Sequence, residues 1–391
     1  MLAPLPALEA FRRDAASTAG TAPADVAAAM WLEAAIRLER AAMVHGAARE
    51  RLLVDLLAQQ GVVSMPAAPV SLGTVIAALV PLATAMEDAA FFRLAHSVLS
   101  GLLVLIPEGS VLERGRIIAQ QARIARQLGG VDAAAEYYGR VEEMGREHVL
   151  PELVGRAWVG LGILGVFRGD YPTARSRLNA VLEMPEVTAD SLVLAHEGLV
   201  IAYAAAEEYD AAAVHAWRAY EAAPSHLRQT EMLVNLGQIL LLGGHASSAL
   251  RGFSAALARK PMARQALPAL GGAACAAAQS LSPPQARALV RTLASRVSTM
   301  VASLAGGAAL TYESATALVE SSEALAYIGE SEFADRLAQH ASELAEKYKF
   351  HELTYRLENP RLAAPPAAPA PETAAVIKAV ESLEGAELIG V

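Results

Sequence analysis

Only one cysteine, Cys275, occurs in the 391 residues, so an intrachain disulfide and a cysteine-based zinc site are both excluded. Its neighbours are alanines, which marks it as a small buried thiol rather than a reactive one. Aromatic residues make up 5% of the chain, and lysine occurs four times, leaving arginine to supply nearly all positive charge. The formal net charge is −9, so the concentrated basic surface that sequence-independent nucleic-acid binding needs is missing. Strand signals are nearly absent, with no run alternating apolar and polar residues between Asn-Gly or Asp-Gly turns. The most apolar run, Leu72 to Met86, is shorter than the ~20 residues a spanning helix needs and contains Pro81, so it is expected to be a buried helix. The N-terminal stretch MLAPLPALEAFRRD lacks the basic-then-apolar order of a secretory signal. A cytoplasmic protein without membrane contact is the expectation.

Catalytic signatures are missing as well. No GxSxG elbow and no GxxxxGKS/T loop is present. Gly160, Gly162 and Gly165 spell GxGxxG, but Gly169-Asp170-Tyr171-Pro172 breaks the chain where a dinucleotide site would require a helix. His351-Glu352 and His196-Glu197 resemble truncated zinc motifs, yet the second histidine fails in each, and the remaining histidines are scattered singly. No cofactor, no metal and no enzymatic activity are expected. An enzyme whose site residues lie far apart in sequence is the residual alternative.

What the chain does have is helix-forming apolar material, with 54% hydrophobic residues dominated by alanine. It also has an internal repeat. Ala157–Pro185 reads AWVGLGILGVFRGDYPTARSRLNAVLEMP. Leu199, Tyr203, Tyr209, Ala212, Ala216, Ala219 and Pro224 recur at matching offsets, and so do Leu236, Gly237, Leu240, Gly244, Ala249, Phe253, Ala256 and Pro261. Ala174, Ala212 and Ala249 are spaced 38 and then 37 residues, a period that signals stacked supersecondary units. Gly129, Gly169, Gly244 and Gly329 each stand five residues before a small alanine, at Ala134, Ala174, Ala249 and Ala334. Ala286 continues the register 37 residues after Ala249, although Ser282-Pro283-Pro284 replaces the glycine turn there. The next spacing, from Ala286 to Ala334, is 48 residues, which predicts a helix extension or an added loop over Thr299–Leu310.

These residues resemble the tetratricopeptide repeat family. The resemblance implies an all-α, right-handed superhelical α-solenoid of stacked helix–turn–helix repeats. The glycine would turn the chain with a positive φ between the two helices, and the alanine would sit where they cross. Ahead of the repeats, residues 1–110 read as a divergent helical segment. It holds a short helix near Leu8–Ala16, then a longer one with Trp31, Ile36, Leu38 and Met43 buried. A break follows at 61–71, and a helix pair over Leu72–Leu105. Residues 111–358 form the repeat solenoid, 359–375 a Pro/Ala linker, and 376–391 a short amphipathic helix. Ile377, Val380 and Leu383 share one face of that helix, to dock back on the repeats or enter a partner's groove.

In the family, first helices line the concave groove and recognise proteins or peptides. By that resemblance Arg116, Arg123, Arg126 and Arg156 would share one inner wall, a fit for an acidic peptide because guanidinium forks bind carboxylates with paired hydrogen bonds. The alternative is a solvated helix face paired with Glu113 and other acids. Farther along, Ile163, Val166, Phe167, Ile201, Gln238 and Leu241 give a more apolar wall, suited to an amphipathic helix. Asn235 falls where family members place part of a lysine/asparagine clamp for a terminal carboxylate, but Val234 and Glu231 flank it and lysines are absent. The expectation is therefore a non-enzymatic scaffold for a protein or peptide, with self-association possible in principle. The alternative is a regulator whose repeats change conformation on sensing a peptide.

Overall fold

The structure is a computed structural model describing residues 34–38, 72–88, 91–185, 187–304, 311–360 and 368–385. Everything regular in these residues is helical. In chain order the elements are α1 (Leu72–Asp88), α2 (Phe92–Leu105), α3 (Val111–Gln127), α4 (Val131–Glu147), α5 (Pro151–Phe167), α6 (Tyr171–Leu182), α7 (Ala189–Ala204) and α8 (Tyr209–Ala222). They continue as α9 (His226–Leu242), α10 (Ala246–Ala258), α11 (Ala263–Ser280), α12 (Pro283–Leu304), α13 (Thr311–Tyr327), α14 (Ser331–Tyr348), α15 (His351–Glu358) and α16 (Pro371–Glu381). The chain divides into two compact units. The first is Met1–Asp170 with Glu183–Val187 and Gly306–Ala309; the second is Tyr171–Leu182, Thr188–Ala305 and Leu310–Val391.

Each unit is a stack of helices, and the small residues explain the stacking. Ala134, Ala174, Ala212, Ala249, Ala286 and Ala334 each occupy the fourth position of a second helix, α4, α6, α8, α10, α12 and α14. None of the six is more than 4% exposed. A methyl group at that point lets neighbouring helix backbones approach closely, which a larger side chain would prevent. The turn ahead of the second helix needs a left-handed residue. Gly129, Gly169, Gly244 and Gly329 supply it with φ between 75° and 82°, as the spacing predicts. Their N–H groups and those of the following residues return to the last carbonyls of the first helix, for example Gly129 N to Arg126 O at 2.9 Å and Gly130 N to Ala125 O at 2.8 Å. Between α7 and α8, Glu207 takes the left-handed conformation without a glycine (φ 59°). Between α11 and α12 the chain turns differently. Leu281 is extended, and Pro283 and Pro284 open α12, where the missing N–H groups cost nothing. Part of the long spacing after Ala286 is helix extension, since α12 runs 22 residues to Leu304; residues 305–310 lie outside the described residues.

In unit 1, α1 and α2 close over Leu79, Met86, Leu94, Leu99 and Leu102, all fully buried, together with Leu38. Ile36 packs partly buried on the same cluster, while Leu8–Ala16, Trp31, Met43 and the break at 61–71 lie outside the described residues. A second cluster joins α3, α4 and α5 through Ile118, Ala122, Tyr138, Val141, Leu153 and Ala157. Gly160 is central to it: a Cβ there would lie 2.2 Å from the Tyr138 ring, so its place in the GxGxxG string reflects helix packing, not a phosphate loop. In unit 2, fully buried Phe253 of α10 fills the space left by Gly237 and Gly272. α11 is so small-sided and so deeply buried that Gln238 of α9 reaches past it to Glu320 of α13, at 3.2 Å. Helix α16 begins at Pro371, inside the stretch read as linker, because proline is favoured in a first helical turn. It lies against α8 and α10, with Val380 fully buried, Val376 nearly so, and Ile377 and Leu383 packed on the same core. Within this chain the tail helix is docked in cis.

Candidate functional site

The register of the first helices sets which side chains share a face. Six residues before the left-handed residue of each turn stand Arg123, Ile163, Ile201, Gln238 and Glu323. In unit 1, α3 and α5 carry the arginines and apolar residues expected of a binding wall. Most of these arginines are already engaged. Arg123 grips buried Glu87 of α1 with two bonds, Nε to Oε1 at 2.6 Å and Nη2 to Oε2 at 2.7 Å. Arg116 holds Glu152 of α5 in the same two-bond manner, at 2.7 and 2.6 Å, while remaining about half exposed. Arg156 adds a third bond to Glu152 at 3.0 Å. The Arg116 bonds, with help from Arg156, hold the Glu152 carboxyl below its ordinary range despite partial burial. The partners are thus Glu87 and Glu152, one repeat away, with Glu113 contributing only its field to Arg116.

Arg126 differs. No carboxylate pairs with it among the described residues. Its guanidinium carbon lies 5.4 Å from the centroid of the Phe167 ring, and its charge acts on the buried Tyr138 hydroxyl. Its Nε is buried and has no hydrogen-bond partner. Phe167 is 62% exposed, which is costly for an aromatic side chain held beside a cation. Ile163 lies half-buried on the same helix, four residues before it. Glu87 and Glu152 are bonded to three of the four guanidiniums, with Glu113 adding its field at Arg116, and Arg126 stands without an acid beside an exposed ring.

The expected wall residues of unit 2 sit in a different setting. Ile201 is exposed on α7 and Asn235 half-buried on α9. Gln238 is committed, donating from Nε2 to Pro268 O at 3.4 Å and to Glu320 Oε1 at 3.2 Å. Around it lies a buried polar cluster that no local motif announces. Arg356 of α15 binds Glu323 through two hydrogen bonds of 3.0 and 2.6 Å, with Glu320 Oε1 3.7 Å away. Cys275 is buried and free, its Sγ donating to the Glu320 carbonyl at 3.1 Å. Burial pushes the Glu320 carboxyl up to about 7, against the pull of Arg356, and its Oε2 has no partner. The same desolvation raises the Cys275 thiol, which keeps it protonated and inert.

A histidine pair was equally hidden. His196 of α7 and His215 of α8 meet with their Nδ1 atoms 2.9 Å apart, and Tyr203 stacks on the His215 ring at 5.3 Å. Burial lowers both imidazoles to about 4, with His215 and Arg218 adding to the effect on His196 and Arg218 to that on His215. Two imidazoles sharing one proton in a hydrogen bond satisfy each other. Among the described residues no group of three or more His, Cys, Asp or Glu is placed to hold a metal ion. No described helix is long and apolar enough to cross a membrane.

Signals for the missed groups exist in the sequence, but only at one-repeat range. Glu87 and Arg123, Arg116 and Glu152, and Asp132 and Arg168 are each 36 residues apart, and each pair is bonded. Opposite charges at the repeat spacing are staples between repeats.

The fold defines an all-α protein of stacked helix–turn–helix repeats. No protein-family model matches the sequence, and no curated protein does. Among solved structures, a tetratricopeptide repeat protein from Parabacteroides merdae is similar, at 16% identity and a TM-score of 0.41, over 73% of this chain and 99% of that one.

Proposed function

We propose that this protein is a non-enzymatic interaction scaffold, and that the face of α3 and α5 in unit 1 receives an acidic peptide segment bearing an apolar side chain. The observation that carries this reading is Arg126. It is the arginine of the four with no carboxylate and an unsatisfied Nε, and it is poised over an exposed phenylalanine. A peptide carboxylate would supply the acidic partner that Arg126 lacks, Arg116 would supply a second, half-exposed cation, and an apolar residue would cover Phe167 and Ile163. Arg123 and Arg156 act behind them, holding the helices in register through Glu87 and Glu152.

An array of acidic and basic amphipathic peptides probed with the full-length protein tests this. Acidic, apolar-bearing peptides are expected to bind, Arg126→Glu to weaken binding by tenfold or more, and Phe167→Ala by several-fold, since cation–π and aromatic contacts are worth ~1 kcal/mol each. Preference for basic peptides, or binding untouched by both substitutions, removes the reading.

A further inference from the structure

A cavity of about 440 Å³ lies in unit 2, where the first turns of α9 face the connection between α10 and α11. Its volume falls within the range of small-molecule sites. Polar side chains converge on it from both sides: the His226 imidazole from α9, and the Arg259 and Lys260 cations from the connection. Leu227 and Met262, 47% and 63% exposed, form an apolar rim. We propose that this cavity binds a carboxylate carried on an apolar body, a small amphiphilic anion. The proposal is independent of the peptide face in unit 1.

The charges here are unlike the staples elsewhere in the chain. Arg259 is held in place without a carboxylate: Nη2 donates to the Tyr220 hydroxyl at 3.0 Å, Nη1 reaches Gln229 Oε1 at 3.4 Å, and the guanidinium lies 5.5 Å from the Tyr220 ring centroid. Neutral partners fix its position and leave its full charge to the cavity. Lys260 stands exposed, and no described carboxylate pairs with it. Its backbone is left-handed (φ 53°), a conformation that costs a side-chain-bearing residue ~1 kcal/mol relative to glycine. The helix ends here are of both kinds: Met262 is the N-cap of α11, Ser225 caps α9 at Arg228 N, and Arg259 is the C-cap of α10, so the side chains rather than the helix dipoles supply the positive charge. An anion finds the Arg259 and Lys260 side chains and an imidazole. A hydrocarbon tail finds Leu227 and Met262, whose exposure is otherwise unfavourable.

Calorimetric titration of the full-length protein with sodium octanoate tests the site, with acetate, octanol and inorganic phosphate titrated alongside. Octanoate is expected to bind saturably and at least tenfold more tightly than acetate, which has the head alone, or octanol, which has the tail alone. Lys260→Gly separates binding from folding. It relieves the backbone strain, so thermal stability is expected to hold or rise, while octanoate affinity falls at least fivefold. Arg259→Gln is expected to weaken binding similarly, and Lys260→Arg to retain it. No saturable octanoate binding at millimolar concentration overturns the proposal. So does affinity unchanged in Lys260→Gly and Arg259→Gln, or phosphate binding more tightly than octanoate.

Discussion

Arg123 and Arg126 are three residues apart on one helix and do different things, because of what each meets. Arg123 meets Glu87, a nearly buried carboxylate, and is spent on it. Replacing it with alanine strands that charge, so Arg123→Ala is expected to lower stability by about 3 kcal/mol in denaturant unfolding, whereas Arg126→Ala is expected to cost well under half as much. Equal losses would mean that Arg126 is structural too. Glu320 allows a test in pH. Its folded value, about 7, lies above its ordinary 4.5, so between those values the folded protein holds a proton that the unfolded chain has released. Its stabilising contribution is therefore complete below pH 4.5 and lost as pH rises through 7. The charged groups facing it are Arg356 and Glu323, with Cys275 and Gln238 alongside. Glu320→Gln, with Arg356 still paired to Glu323, is expected to be more stable than the wild type at pH 8, by about 1–3 kcal/mol, and to flatten this part of the profile. The histidine pair runs oppositely. Both folded values, about 4, lie below the ordinary 6.5, so stability is lost as pH falls from 6.5 toward 4, and His215→Asn is expected to blunt that loss.

At the scale of the element, the turn glycine and the crossing alanine were legible in the sequence because each is required by the local backbone, and a local requirement leaves a local mark. Gly160 reads in sequence as part of a failed GxGxxG string, and its reason is not local, since Tyr138 lies 22 positions earlier in the neighbouring helix. Gly160→Ala drives a methyl group into that ring and is expected to cost about 1–3 kcal/mol. The same change at Gly139, which has open space around it, is expected to be neutral or stabilising in a thermal melt. The amphipathic face of the tail was readable as Ile377, Val380 and Leu383, but its destination was not. Buried Val376 and Val380 place it on α8 and α10. Ending the chain at Asn359 uncovers that seat, and about 3 kcal/mol of stability is expected to go with it. Hydrogen exchange is expected to quicken in α8 and α10 while α3 and α4 are unchanged. Unaltered exchange in α8 and α10 would show the tail to be dispensable to the fold.

For the whole molecule, repetition made the fold readable and obscured the site. A helix pair that recurs every 37 or 38 residues announces its partner surfaces many times, so a damaged copy such as the one opened by Pro283 and Pro284 is still recognised by its neighbours. Charge offers no such redundancy. Arg116, Arg123, Arg126 and Arg156 look alike in sequence, and what distinguishes them is whether a carboxylate meets them: one repeat away for Arg116 and Arg123, on the same helix for Arg156, and none for Arg126. Gln238 reads as a wall residue until α11 proves thin enough for it to reach Glu320. The account's central claim is that the unspent cation and the exposed ring of α3 and α5 form the receiving surface. Hydrogen exchange of the full-length protein, with and without a saturating acidic peptide chosen from the array, tests this most directly. The account predicts protection concentrated in residues 116–127 and 156–167, and absent in Arg126→Glu. Protection confined to unit 2, or none at saturation, would contradict it.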